Sequence, residues 1–166
     1  MKKIVLIRHA KSSWANSGSD DFSRPLNQKG IEESKTISRA LTEKIAKPDI
    51  ILTSSAHRAL STARYFASAF SYPEESIIKD KTLYLASRQE ILKTISRIDP
   101  KHSLVFLIGH NPTITEFACY LCNASIASLP TCSAIGIEFE TDAWDLISNS
   151  KAKVLFLEYP KENIFF

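Results

Sequence analysis

The stretch KIVLIRHAKSSW, residues 3–14, decides the architecture. Four uninterrupted aliphatics, Ile4 to Ile7, read as a strand buried on both faces, the pattern of a parallel sheet with helices on either side. The strand then ends on Arg8 and His9 instead of on Gly, Asn or Ser. Both side chains are costly to desolvate, so the end of this strand has a use for a positive charge and an imidazole.

The same pattern recurs along the chain. Strands are expected at 3–7, 50–53, 77–79, 104–108, 134–139 and 153–158. Helical periodicity lies between them near 28–46, 56–70, 88–98 and 113–122. This alternation predicts a three-layer α/β/α sandwich with a mostly parallel central sheet of about six strands. The last two strands lack a helix of normal length between them, so they form an antiparallel edge that turns through 141–152. Residues 11–27 are a long loop without periodicity, and such loops inside compact domains are often functional.

Two further strands end as the first does. After 50–53 come Ser54-Ser55-Ala56-His57-Arg58-Ala59-Leu60-Ser61-Thr62-Ala63, and after 104–108 come Gly109-His110-Asn111-Pro112. Ligands of open parallel sheets bind outside the carboxyl ends of the strands. If the three strands are neighbours, Arg8, His9, Arg58 and His110 converge on one edge as an anion pocket with no acidic cluster nearby. Asn111 suits an N-cap and Pro112 a first helical residue, which puts a helix N-terminus beside His110. Ser54 or Ser55 is expected to cap the helix carrying Arg58. Arginine forks match phosphate oxygens, and a neutral histidine beside cations can attack phosphorus. Taken singly, each motif reads more simply as a surface charge, a satisfied histidine or a helix start; it is their coincidence that points to a site.

Composition agrees and excludes little else. The chain has 166 residues, a one-domain length, with a net charge of +3. Residues 1–83 carry 14 Lys/Arg against 9 Asp/Glu, and residues 84–166 carry 7 against 9. A basic half suits an anionic ligand, although a solvated basic surface is the commoner reason. The charge is too small to imply nucleic acid. No apolar run reaches membrane-spanning length, and only four aliphatics follow Lys2-Lys3, too few for a secretory signal. Three cysteines argue against a disulfide framework, so a cytoplasmic location is expected.

These motifs together resemble the histidine phosphatase superfamily, of phosphoglycerate-mutase-like fold. Arg8-His9, Ser54-x-x-x-Arg58-Ala59-x-x-Thr62-Ala63 and Gly109-His110 carry the likeness. The short length and the string Arg8-His9-Ala10-Lys11-Ser12-Ser13-Trp14 … Asp21-x-x-Arg24-Pro25-Leu26-Asn27-x-x-Gly30 are similar to the SixA-type phosphohistidine phosphatases. The likeness runs from residue 4 to about 139. It implies one domain over 1–166, with His9 as nucleophile and a covalent phosphohistidine intermediate. Arg8, Arg24 and Arg58 would hold the phosphoryl oxygens, and His110 would donate to them. It implies no metal and no cofactor. The substrate would be a phosphohistidine-bearing protein or a small phosphorylated molecule, in a pocket that phosphate or sulfate also fits.

Two departures matter. Ala10 stands where the common signature has glycine. Larger members carry a proton-donating acid after the third strand, where this chain has Leu83-Tyr84-Leu85-Ala86-Ser87. Glu90, Asp20 and Asp21 are the carboxylates that could substitute. A site without a dedicated acid suits phosphoramidates and aryl phosphates, whose leaving groups need little help. The alternatives are a small-molecule or aryl phosphomonoesterase, and a non-catalytic module that binds phosphoprotein.

Other chemistries are absent. There is no phosphate-binding Gly-x-x-x-x-Gly-Lys-Ser/Thr loop and no Gly-x-Ser-x-Gly elbow. Cysteine phosphatases need an arginine six residues after the cysteine; Cys119, Cys122 and Cys132 are followed there by Ser125, Ser128 and Glu138. Cys119 and Cys122 form one C-x-x-C on a helix, for which packing is the expectation ahead of zinc. His57 and His102 carry no motif role, and Phe165-Phe166 are expected to dock against the core.

Overall fold

Successive side chains of the first strand serve two different cores. In β1 (Lys2–Arg8), Ile4 and Leu6 pack into one cluster and Val5 and Ile7 into another. β4 (Leu104–Gly109) alternates in the same way, with Val105 and Leu107 opposed to Phe106 and Ile108. Strand side chains alternate between faces, so an all-aliphatic strand needs apolar cover on both. α1 (Gln28–Leu41) and α2 (His57–Ala69) cover one face through Ile37, Leu41, Ala63 and Phe66. α3 (Arg88–Ser96), α4 (Thr113–Cys122) and a 3-10 turn at Trp144–Asn149 cover the other through Ile91, Ile95, Phe117 and Trp144. This is the expected three-layer sandwich, here in a computed structural model that describes residues 1–14 and 20–161.

With β2 (Ile50–Ser54), β3 (Ile78–Asp80), β5 (Ala134–Phe139) and β6 (Ala152–Glu158), the sheet has six strands in the order β3-β2-β4-β1-β5-β6. β3, β2, β4 and β1 are parallel; β5 runs antiparallel to β1, and β6 antiparallel to β5. β4 therefore lies between β1 and β2, and the three motif-bearing ends are adjacent. Among the described residues no helix is long and apolar enough to cross a membrane.

Boundaries differ from expectation at several elements; α3, expected to run to about 98, ends at Ser96. α1 stops at Leu41, where Thr42 donates to Arg39 and Ala40 in a tightening turn, so 42–46 is not helical. β3 is shifted one residue on, to 78–80. α2 has Ala56 at its N-cap with no side-chain hydrogen bond, so neither Ser54 nor Ser55 caps it as expected. α4 begins one residue later than expected, with Pro112 in the cap position; Asn111 Oδ1 still accepts from Thr115 N–H at 3.2 Å. The loop 11–27, where described, is anchored by a bridge between Ser12 and Leu26 and a 3-10 turn at Asp21–Ser23. Phe165 and Phe166 lie outside the described residues.

Candidate active site

Backbone pairing brings the motifs to one edge. Arg8 lies opposite Gly109, and Thr53 opposite Ile108. His9 N–H donates to Gly109 C=O at 3.0 Å, and the His9 and His110 rings stand 5.1 Å apart. From α2, Thr62 completes the floor: its hydroxyl accepts from Ala10 N–H at 3.0 Å and donates to Arg58 C=O at 2.8 Å. The segment bearing the histidine and the helix bearing Arg58 are thus pinned through one oxygen. All four residues expected at this edge are brought together there.

Hydrogen bonds fix the His9 tautomer and set a hydroxyl against the His110 ring. His9 Nδ1 lies 2.7 Å from Ala10 C=O, which can only accept, so Nδ1 carries the proton and Nε2 presents a lone pair. Arg58 Nε donates toward that nitrogen at 3.3 Å. Burial, with Arg58, Arg8 and Arg24 adding repulsion, pulls the His9 pKa down to about 4, so the ring is neutral at pH 7. His110 is held to about 3, first by burial and then by His9 and Arg58. Its Nε2 lies 2.8 Å from Ser54 Oγ. That oxygen also accepts from Ala56 N–H at 3.2 Å; with the Ser54 hydroxyl proton turned to His110 Nε2, the ring proton would sit on Nδ1. His110 Nδ1 and Arg8 Nε are buried without a partner among the described residues. Unpartnered nitrogens on His110 and Arg8, with the buried Arg58 in the same site, suit an anion.

No acidic cluster is expected at the pocket, and of the candidate carboxylates Asp20, Asp21 and Glu90 only Asp21 reaches it. Asp21 reaches in from the 3-10 turn and accepts from Arg58 Nη2 at 2.9 Å, from Arg24 Nε and Nη2 at 3.0 Å each, and from the Tyr84 hydroxyl. Arg58 Nη1 also donates to its backbone carbonyl at 2.6 Å. The Tyr84 hydroxyl above all, helped by the two guanidiniums, holds the Asp21 carboxyl at about 2 although burial pushes the other way, so it is ionised. Arg24 is buried beneath Trp14, whose ring lies 3.6 Å from the guanidinium carbon, and it donates to Ser12 Oγ. Asp20 and Glu90 are occupied elsewhere: Asp20 caps the turn at Ser23, and Glu90 closes a capping box with Ser87. His57 is exposed. Cys119 Sγ pairs with Ile126 N–H and C=O, and among the described residues no group of three His, Cys, Asp or Glu could hold a metal.

Sequence reasoning missed Ser54, Thr62, Tyr84 and Ser12 as participants. Ser54 and Thr62 stood inside the second motif, and that was their one signal.

Fold and site define an α/β enzyme built to handle a phosphoryl group. The model of the histidine phosphatase superfamily (branch 1) matches residues 4–84. A crystal structure described as phosphohistidine phosphatase SixA from Agrobacterium tumefaciens superposes with a TM-score of 0.81 at 25% identity, over 96% of this chain and 99% of that one. A protein histidine phosphatase SixA complexed with tungstate shares the fold, with a TM-score of 0.79 at 16% identity over 93% and 95% of the two chains. A chloroplastic protein of Arabidopsis thaliana is 27% identical over 152 residues, 87% of this chain and 69% of its own length. The first part of the chain is thus similar to the histidine phosphatase superfamily and the whole fold to its SixA structures, which supports a hydrolase.

Proposed function

We infer that this phosphatase removes phosphoryl groups from phosphohistidine on a protein, with His9 as nucleophile. One observation carries the reading. The only carboxylate near the two histidines among the described residues, Asp21, is ionised and already holds two arginines, so no carboxylic acid is poised to protonate a leaving group. Alkyl phosphates depend on such a donor, worth roughly 10²–10⁴-fold. An imidazole protonated on its other nitrogen does not.

His9 Nε2 attacks phosphorus, and Arg8, Arg24, Arg58 and His110 Nδ1–H bind the phosphoryl oxygens. The P–N bond to the substrate breaks, and its electron pair returns to the substrate imidazole. Phosphorylated His9 is then an imidazolium whose Nδ1–H rests on Ala10 C=O. Water attacks phosphorus, the His9–phosphorus bond breaks, and the proton from water leaves with the phosphate. Ser54 keeps the His110 proton on Nδ1 throughout.

A substrate panel in EDTA tests this. Phosphohistidine protein and aryl phosphates should turn over, with sugar phosphates at least about 10²-fold slower. Activity lost to chelator and restored by a divalent ion would overturn the mechanism. Equal turnover of sugar phosphates would favour the second reading, a small-molecule phosphomonoesterase. Keeping both histidines and both strand-end arginines favours catalysis over mere binding of phosphoprotein.

A further inference from the structure

Beside His110 lies a cavity of about 190 Å³ that the proposed chemistry leaves unused. Its walls are apolar: Leu83, Leu85, Ile91, Leu107 and Ile114 line it, and no charged side chain does. The polar side chains on its rim are already engaged. Thr113 Oγ1 donates to Ala86 C=O at 2.8 Å. Asn111 gives its amide protons to Ser128 Oγ and Leu129 C=O, and its oxygen takes both Thr115 N–H and Thr115 O–H. Among the described residues His110 Nδ1 alone is without a partner on this rim, and the phosphoryl group of the proposed reaction takes it up. Leu85 is 79% exposed and sits at φ 59, in the left-handed region where a branched residue is an outlier. Strain of this kind points to function. The bend sends Tyr84 to Asp21 and leaves Leu85 at the cavity mouth.

We propose that this cavity is the subsite for the group attached to the phosphoryl moiety, and that it takes a planar apolar ring with at most one hydrogen-bonding atom, an aryl or imidazole ring. The proposal rests on the anion site assigned above. His110 is a wall of both spaces, so a phosphoryl group held at Arg8 and Arg58 has this cavity as its adjoining apolar room. An apolar cavity of about 150 Å³ takes a benzene ring, so the size is adequate. A polyol or carboxylate would find no free partner for its oxygens there.

Non-hydrolysable phosphonates test it, with affinities read by calorimetry. Phenylphosphonate should bind wild-type protein at least about tenfold more tightly than methylphosphonate. Leu85→Gly should bring that ratio below about threefold, since it removes a wall; glycine adopts the same φ freely, so the fold is kept. Ile91→Phe, which fills the cavity from the opposite wall, should lower the ratio too. Equal wild-type affinities, or a ratio that both variants leave intact, would overturn the proposal alone. A protein that binds neither phosphonate would overturn the anion site along with it.

Discussion

Asp21 changes how the anion site works at the level of single side chains. Its carboxylate takes donors from Arg58 and Arg24 that an incoming phosphoryl group also needs. Like charges placed a few ångströms apart repel. Asp21→Asn should therefore tighten inorganic phosphate as a competitive inhibitor by about three- to tenfold at low salt, and less at high salt. Weaker phosphate binding would mean that Asp21 serves mainly to position the arginines. Ser54→Ala should release the His110 tautomer. Nitrogen-15 NMR would then show the proton shared between Nδ1 and Nε2, with kcat down about tenfold; an unchanged Nδ1–H signal would remove Ser54 from the mechanism. Neither role was readable from the sequence. Asp21 stands three residues before Arg24, which is local, but its reach to Arg58 spans 37 residues. Ser54 meets His110 across 56 residues, and a serine after a strand reads as a cap when only its neighbours are known.

At the level of elements, strand ends were the legible part. His9, Arg8, Arg58 and His110 follow from continuous aliphatic runs that stop abruptly. Loop 11–27 was opaque, because its order comes from tertiary contacts and not from periodicity. Gly30 shows one of these. A Cβ there would come 2.1 Å from Lys11 C=O, so the first turn of α1 accepts the loop only as glycine. Gly30→Ala should cost about 2–4 kcal/mol in urea unfolding. It should also raise the phosphate inhibition constant, because Ser12, which holds Arg24, moves with Lys11. Full stability in the variant would show that the loop can give way.

Across the whole molecule the two buried imidazoles couple folding to pH. Folded His9 titrates at about 4 and His110 at about 3, while in the unfolded chain both titrate near 6.5. Their pKa values are depressed, so below 6.5 the unfolded chain takes up protons that the folded one refuses. Stability is full above 6.5 and falls as the pH drops toward 4. The urea midpoint should therefore decline between pH 6.5 and 5, before most carboxylates titrate, and His110→Gln should flatten that slope. A midpoint independent of pH over this range would contradict the burial of both rings. Asp21 adds in the same direction, but only between about 3.8 and 2, and it is too exposed to add much.

The sheet order has a consequence for the timing of synthesis. β1 and β2 carry His9 and the lead-in to Arg58, yet they never touch, because β4 is laid between them. A ribosome that has released the first hundred residues has delivered His9 and the arginines Arg8, Arg24 and Arg58, but not the strand that joins them. The emerging chain should therefore be inert toward phosphorylated neighbours until residues 104–110 are in place, since any product truncated before them lacks both His110 and the strand that aligns the rest of the site.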